Sequence, residues 1–140
     1  MRALVLAAGL LFAAAAPAFA ADLVEGEWLT QDGSAKVRIG PCAGRPDRMC
    51  GLISWFRDPA NARARDTHNP DPKLQVRPLM GLLMIRDFKA AGAGRWTGGR
   101  IYDPGEGKTY DSKMRINPDG TLKVEGCILI VCQAQTWKHG

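Results

Sequence analysis

From Glu25 to the end, the chain alternates apolar and polar residues in short runs. Clusters of glycine, proline, asparagine and aspartate separate them. A period of two over four to eight residues is the mark of a half-buried strand. "EGEWLT" runs into the hairpin turn "QDGS", and "AKVRI" follows with Val37 and Ile39 on one face and Lys36 and Arg38 on the other. "CGLISWFR" is apolar on both faces and reads as a buried strand. "LLMIRDF", the glycine-interrupted "RWTGGRIY", "KTYDSKMRI", "TLKVEGC" after the turn "NPDG", and "AQTWKH" complete about eight strand signals, with no convincing helical period.

Such short strands, mostly joined by hairpins in one small domain, suit an all-β fold: an antiparallel up-and-down β-barrel or a sandwich. The barrel is preferred because it removes sheet edges. It also accommodates Gly98-Gly99, a pair that marks a bend or bulge and leaves open which face Arg100 and Tyr102 occupy.

One segment breaks the hairpin rhythm. Arg57 to Pro78 is too long for a turn, polar, and rich in proline and asparagine, and connections of this length are commonly functional or disordered. Asp66, His68, Asn69 and Asp71 crowd within it and invite a calcium hypothesis. The spacing lacks the glycine and the terminal bidentate acid of the helix-flanked calcium loop, so an array of Asx turns is the preferred reading and no metal is assigned.

The first residues, "MRALVLAAGLLFAAAAPAFA", place one arginine before an apolar run and close on Ala18-Phe19-Ala20. That is the pattern of a signal peptide cleaved after Ala20. Residues 21–140 then form a single domain with no integral membrane segment, and cleavage takes one positive charge from a formal +5. The remaining basic residues are scattered and lack an aromatic–basic platform, so no nucleic-acid partner is expected.

All four cysteines lie beyond the signal segment, and four cysteines allow three pairings. Export makes disulfides the default. Cys42 and Cys50 flank the turn-like insert "AGRPDRM", and Cys127 and Cys132 flank "ILIV", which favours the local pairs Cys42–Cys50 and Cys127–Cys132. The spacings suit a zinc knuckle poorly.

"YDPGEGKTYD" contains Gly107-Lys108-Thr109, the closing triplet of a phosphate-binding loop. The glycine required five positions before the Gly-Lys pair is replaced by Tyr102, and a strand pattern, not a helix, follows. The stretch reads instead as a β-turn, with Pro104 at the first corner and Gly105 taking a positive φ at the second.

"GEWLT", "CGLISW", "DTHNPDP", "RPLMG", "WTGGRIYDPGEGKTYDSKM" and "QTW", in this order, resemble the bacterial exported family called domain of unknown function 2147. The resemblance implies a lipocalin- or calycin-like barrel and export to the periplasm or exterior of a Gram-negative bacterium, and it supplies no activity. Gly26-x-Trp28 is similar to the motif opening a lipocalin barrel. Lipocalins also pack an arginine across that tryptophan; here Lys138 or one of the arginines is expected to substitute. Trp28 should then be buried at the closed end, near Trp137.

No catalytic constellation is evident. His68 and His139 are poorly placed as bases, and the acids pair only within turns and loops. A binding module for a small apolar or amphipathic molecule, anionic ones included, is the favoured function. Trp55, Phe56, Trp96, Tyr102 and Tyr110 are candidates for an aromatic wall, and Arg77 and Arg100 for the charge. Neither enzyme activity nor a cofactor is expected. The alternative is an envelope structural or protein-interaction module with a filled barrel, and a lumen packed with side chains would favour it.

Overall fold

The computed structural model describes residues 21–140; the signal-peptide reading of residues 1–20 lies outside them. Eight antiparallel strands close into a barrel in sequence order. They are β1 (Gly26–Leu29), β2 (Ala35–Cys42), β3 (Arg45–Phe56), β4 (Leu83–Ala90), β5 (Arg95–Asp103), β6 (Lys108–Ile116), β7 (Leu122–Ile128) and β8 (Val131–His139). Among the described residues two single-turn helices, α1 (Ala21–Val24) and α2 (Pro59–Ala62), interrupt the all-β pattern. Strand direction alternates, so the connections 30–34, 57–82, 104–107 and 129–130 share one rim. Those at 43–44, 91–94 and 117–121 share the other.

The lumen is filled. Trp28, Trp96, Trp137 and Phe88 are fully or almost fully buried in one cluster with Val37, Ile85, Leu122 and Val124. Bulky aromatic burial of this kind dominates core energetics. Val24 of α1 belongs to the same cluster, and its carbonyl accepts a hydrogen bond from Trp28 Nε1 at 2.8 Å. Trp28 and Trp137 are thus buried in one cluster, with Val24 of α1 beside them. The residue across Trp28 is neither Lys138 nor an arginine but His139, whose ring stacks at 4.0 Å between centroids. The register explains this: Trp28 lies directly opposite His139 on β8, whereas Lys138 lies opposite Leu29.

Three local readings change. Only Ala43 and Gly44 turn between β2 and β3, because Arg45 already pairs with Cys42 and most of "AGRPDRM" is strand. The "CGLISWFR" strand is not buried on both faces: Leu52 and Trp55 are exposed. In the "YDPGEGKTYD" corner Gly105 does not take the positive φ; Gly107 does, at 67°. Asp103 sets this corner by accepting from the Gly105 amide through its side chain and from the Gly107 amide through its carbonyl. Gly98, at φ 67°, forms the β5 bulge, and Gly99 beyond it sits against the ring of Phe88.

Disulfides join Cys42 to Cys50 and Cys127 to Cys132. Both cross-link adjacent strands, which suits an oxidising, extracytoplasmic compartment.

Candidate functional site

The long connection folds back on itself instead of wandering. Arg65 bridges Pro78, the Asp66 amide donates to the Arg77 carbonyl, and the Leu79 amide donates to the Ala64 carbonyl. Its turns are Asx turns: Asn69 Oδ1 accepts from the Asp71 amide and Asp71 Oδ1 from the Lys73 amide. This geometry delivers Asp66, with no exposed surface, to Tyr102 on β5. Asp66 Oδ1 accepts from the Tyr102 hydroxyl at 2.6 Å, while Oδ2 accepts from Asn69 Nδ2 at 2.9 Å and Arg77 Nε at 2.8 Å. The Arg77 guanidinium also lies over the Tyr102 ring.

Burial acts to raise the Asp66 pKa, but the hydrogen bonds from Tyr102, Asn69 and Arg77 and the arginine's charge outweigh it and hold the carboxyl below its usual range. Burial, with donation to this carboxylate, pushes the Tyr102 phenol up. Both Asp66 oxygens are satisfied from within the cluster, so the arrangement is a polar latch. Among the described residues no group of three His, Cys, Asp or Glu side chains could hold a metal ion. Gly107 completes the seat. A β-carbon there would overlap the His68 carbonyl, so the corner admits the loop only because the residue is glycine.

The structure therefore brings Arg77, Tyr102, Asp66 and Asn69 together, with Asp71 shaping the adjoining turn. The remaining candidates are dispersed. Trp96 belongs to the filled lumen, and Trp55 is exposed beneath Lys36. Phe56 is the exception and packs against the cluster of Ile53, Leu82 and Tyr102. Arg100 is paired with Asp111, and the Tyr110 hydroxyl donates to Glu106. These aromatics form no common wall.

Among the described residues, the outer surface holds two depressions of note. One, of about 460 Å³, runs below the β7–β8 corner and is bordered by Gly98, Asp111, Lys113, Leu129 and Ile130. The other, of about 480 Å³, crosses β2, β3 and β4. Pro41, Leu52, Leu83 and the Cys42–Cys50 disulfide line it with apolar surface, and Arg38, Arg45 and Arg86 surround them. Leu52 and Leu83 are 46% and 41% exposed, high for leucines on adjacent strands. Asp87 is the single carboxylate of the lining, and Arg86 and Arg45 approach it at 3.1 and 3.8 Å. Arg38 reaches Glu27 at 3.3 Å. Asp87 has a φ of 65°, a conformation that aspartate tolerates better than most residues. β2 and β4 carry one arginine each, Arg38 and Arg86, and no local pattern in the sequence marks the groove.

The solved structure of protein HP1028 from Helicobacter pylori, described as belonging to the lipocalin family, shares the fold at a TM-score of 0.75. Its sequence is 24% identical, with 84% of this chain and 82% of that chain covered. No curated protein matches the sequence significantly. The model of an uncharacterised family of proteins conserved in bacteria, DUF2147, matches residues 26–139, nearly the whole barrel, and the chain belongs to that family.

Proposed function

We propose that the protein is an extracytoplasmic binding module for an amphipathic anion, held not in the lumen but in the outer groove of β2, β3 and β4. The observation that carries this reading is the pair of half-exposed leucines beneath three arginines. An aliphatic tail would cover Leu52, Leu83 and the disulfide, and a carboxylate or phosphate head would meet the guanidinium groups, whose fork geometry matches such oxyanions. Asp87 meets Arg45 and Arg86 and Glu27 meets Arg38, so three arginines face two carboxylates and the groove keeps one positive charge in excess. The filled lumen by itself favours the alternative of a protein-interaction module; it leaves the outer surface as the place for a small ligand, since the buried tryptophans occupy the space where a barrel usually accepts one.

Calorimetric titration with decanoate, below its micelle concentration, tests the reading. Saturable binding is expected. Leu52→Ser with Leu83→Ser, and separately Arg38→Ala with Arg86→Ala, should each weaken it about tenfold or more: covering the exposed halves of the two leucines is worth about 1.5–3 kcal/mol together, and the arginines supply the charge-assisted hydrogen bonds to the head group. Absence of saturable binding, or binding that survives both pairs of substitutions, would overturn it.

A further inference from the structure

The β7–β8 hairpin carries an apolar corner and an open strand edge on the same ribbon. Ile128, Leu129, Ile130 and Val131 are 64%, 89%, 96% and 70% exposed. Leu129 adopts a φ of 54°, a left-handed conformation that hairpin corners usually give to glycine or asparagine. The Cys127–Cys132 bond fixes the ribbon just behind this corner.

β1 covers β8 only at Lys138 and His139. Beyond that seam the Gly140 amide donates to the Glu27 carbonyl, and the Thr136 amide donates to the Gln31 side chain. Even-numbered residues of β8 therefore aim their backbone groups away from β7. By the two-residue period the amides and carbonyls of Ala134 and Cys132 do the same, where no strand follows. Exposed edges are ordinarily guarded by lysine, proline or a bulge. Gly126 to Trp137 contains no charged residue and no proline, and the β7–β8 register runs without a shift.

We infer that this edge pairs with the same edge of a second copy of the chain, forming a two-fold dimer through β8. A bilayer could take the aliphatic corner, but it cannot satisfy backbone groups, whereas another strand can. Self-pairing also meets no electrostatic objection. Laid antiparallel about Gln133, the uncharged segment sets Cys132 of one copy against Ala134 of the other, and Val131 against Gln135, with no like charges opposed. The pairing is isologous and closes at two chains.

Sedimentation velocity of residues 21–140 from low to high micromolar concentration should show a monomer passing to a dimer. Ala134→Pro removes one amide from the free edge while leaving the β7 ladder intact, and Ile130→Lys places a charge at the exposed corner. Both variants should sediment as monomers at every concentration, and the Ala134 amide of the wild type should exchange more slowly as concentration rises. Should Ala134→Pro fail to fold, Ile130→Lys decides alone. A wild type that stays monomeric throughout, or a dimer that survives Ile130→Lys, overturns the inference. So does a monomer that floats with phosphatidylglycerol vesicles, which would give the corner to lipid.

Discussion

The connection 57–82 and the β7–β8 hairpin stand on the same rim and invert ordinary expectation. The first is rich in proline, asparagine and charge, yet it is held by a buried carboxylate. The second is aliphatic, yet Ile130 is almost fully exposed. Composition alone does not decide which segment is anchored; available partners do. Asp66 finds Tyr102, Asn69 and Arg77 within hydrogen-bonding distance, whereas Ile128 to Val131 stay largely exposed at the corner of the hairpin. A polar loop with all its groups satisfied can be firmly attached, and an apolar ribbon without a neighbour is left bare.

Breaking the latch should give the largest effect. Asp66→Ala leaves Arg77 and Tyr102 without their acceptor, and removing one member of a buried ion pair costs about 3–5 kcal/mol. The lower end is expected here because Arg77 is partly in solvent, and denaturant unfolding would measure it. The same carboxylate makes the loop acid-sensitive. Its folded pKa is depressed, so its contribution is complete above the ordinary value of 3.8 and is lost as pH falls through the lowered one. Tyr102, shifted upward, acts in the opposite sense: its contribution is complete below its usual 10.0 and fades as pH rises beyond it. Limited proteolysis within 57–82 should accordingly quicken at both extremes and stay slow between them.

Tyr102→Phe removes one donor to a charged acceptor and should cost about 1.5–3 kcal/mol in the same unfolding assay. Gly107→Ala should cost more than about 1 kcal/mol from its positive φ alone, with a further loss because the His68 carbonyl must move. A melting midpoint unchanged by that substitution would contradict the seating of the loop on the corner. The smallest effects belong to the other side of the comparison. Ile130→Ser and Lys108→Ala should each stay within about 0.5 kcal/mol for the monomer, as exposed changes do. A large loss at Ile130 would mean that the corner is covered after all.

Much of the barrel was legible because alternation is local: each of the strand runs carries its own period of two, and each cysteine pair flanks its own hairpin. Asp66 and Asn69 drew attention together as members of the loop cluster, and Tyr102 and Arg77 separately as the wall and charge of a ligand site. Their convergence was not legible, since it depends on a loop folding back to a strand far along the chain. The groove was missed for another reason. Its leucines sit in runs that read as core, and ladder irregularities near Val37 and between Gly51 and Leu52 decide which residues turn outward. A single extra residue in a ladder exchanges faces, and no local pattern announces it.

The seam between β1 and β8 has a kinetic corollary. It is closed by only two residue pairs, whereas the β7–β8 ladder has seven. A ring of strands opens first where the fewest bonds must break, so the barrel's earliest excursion from the native state should be an unzipping along this line into a curled open sheet. Trp28, its indole roofed by His139 across that line, is the residue such an excursion would first show to water.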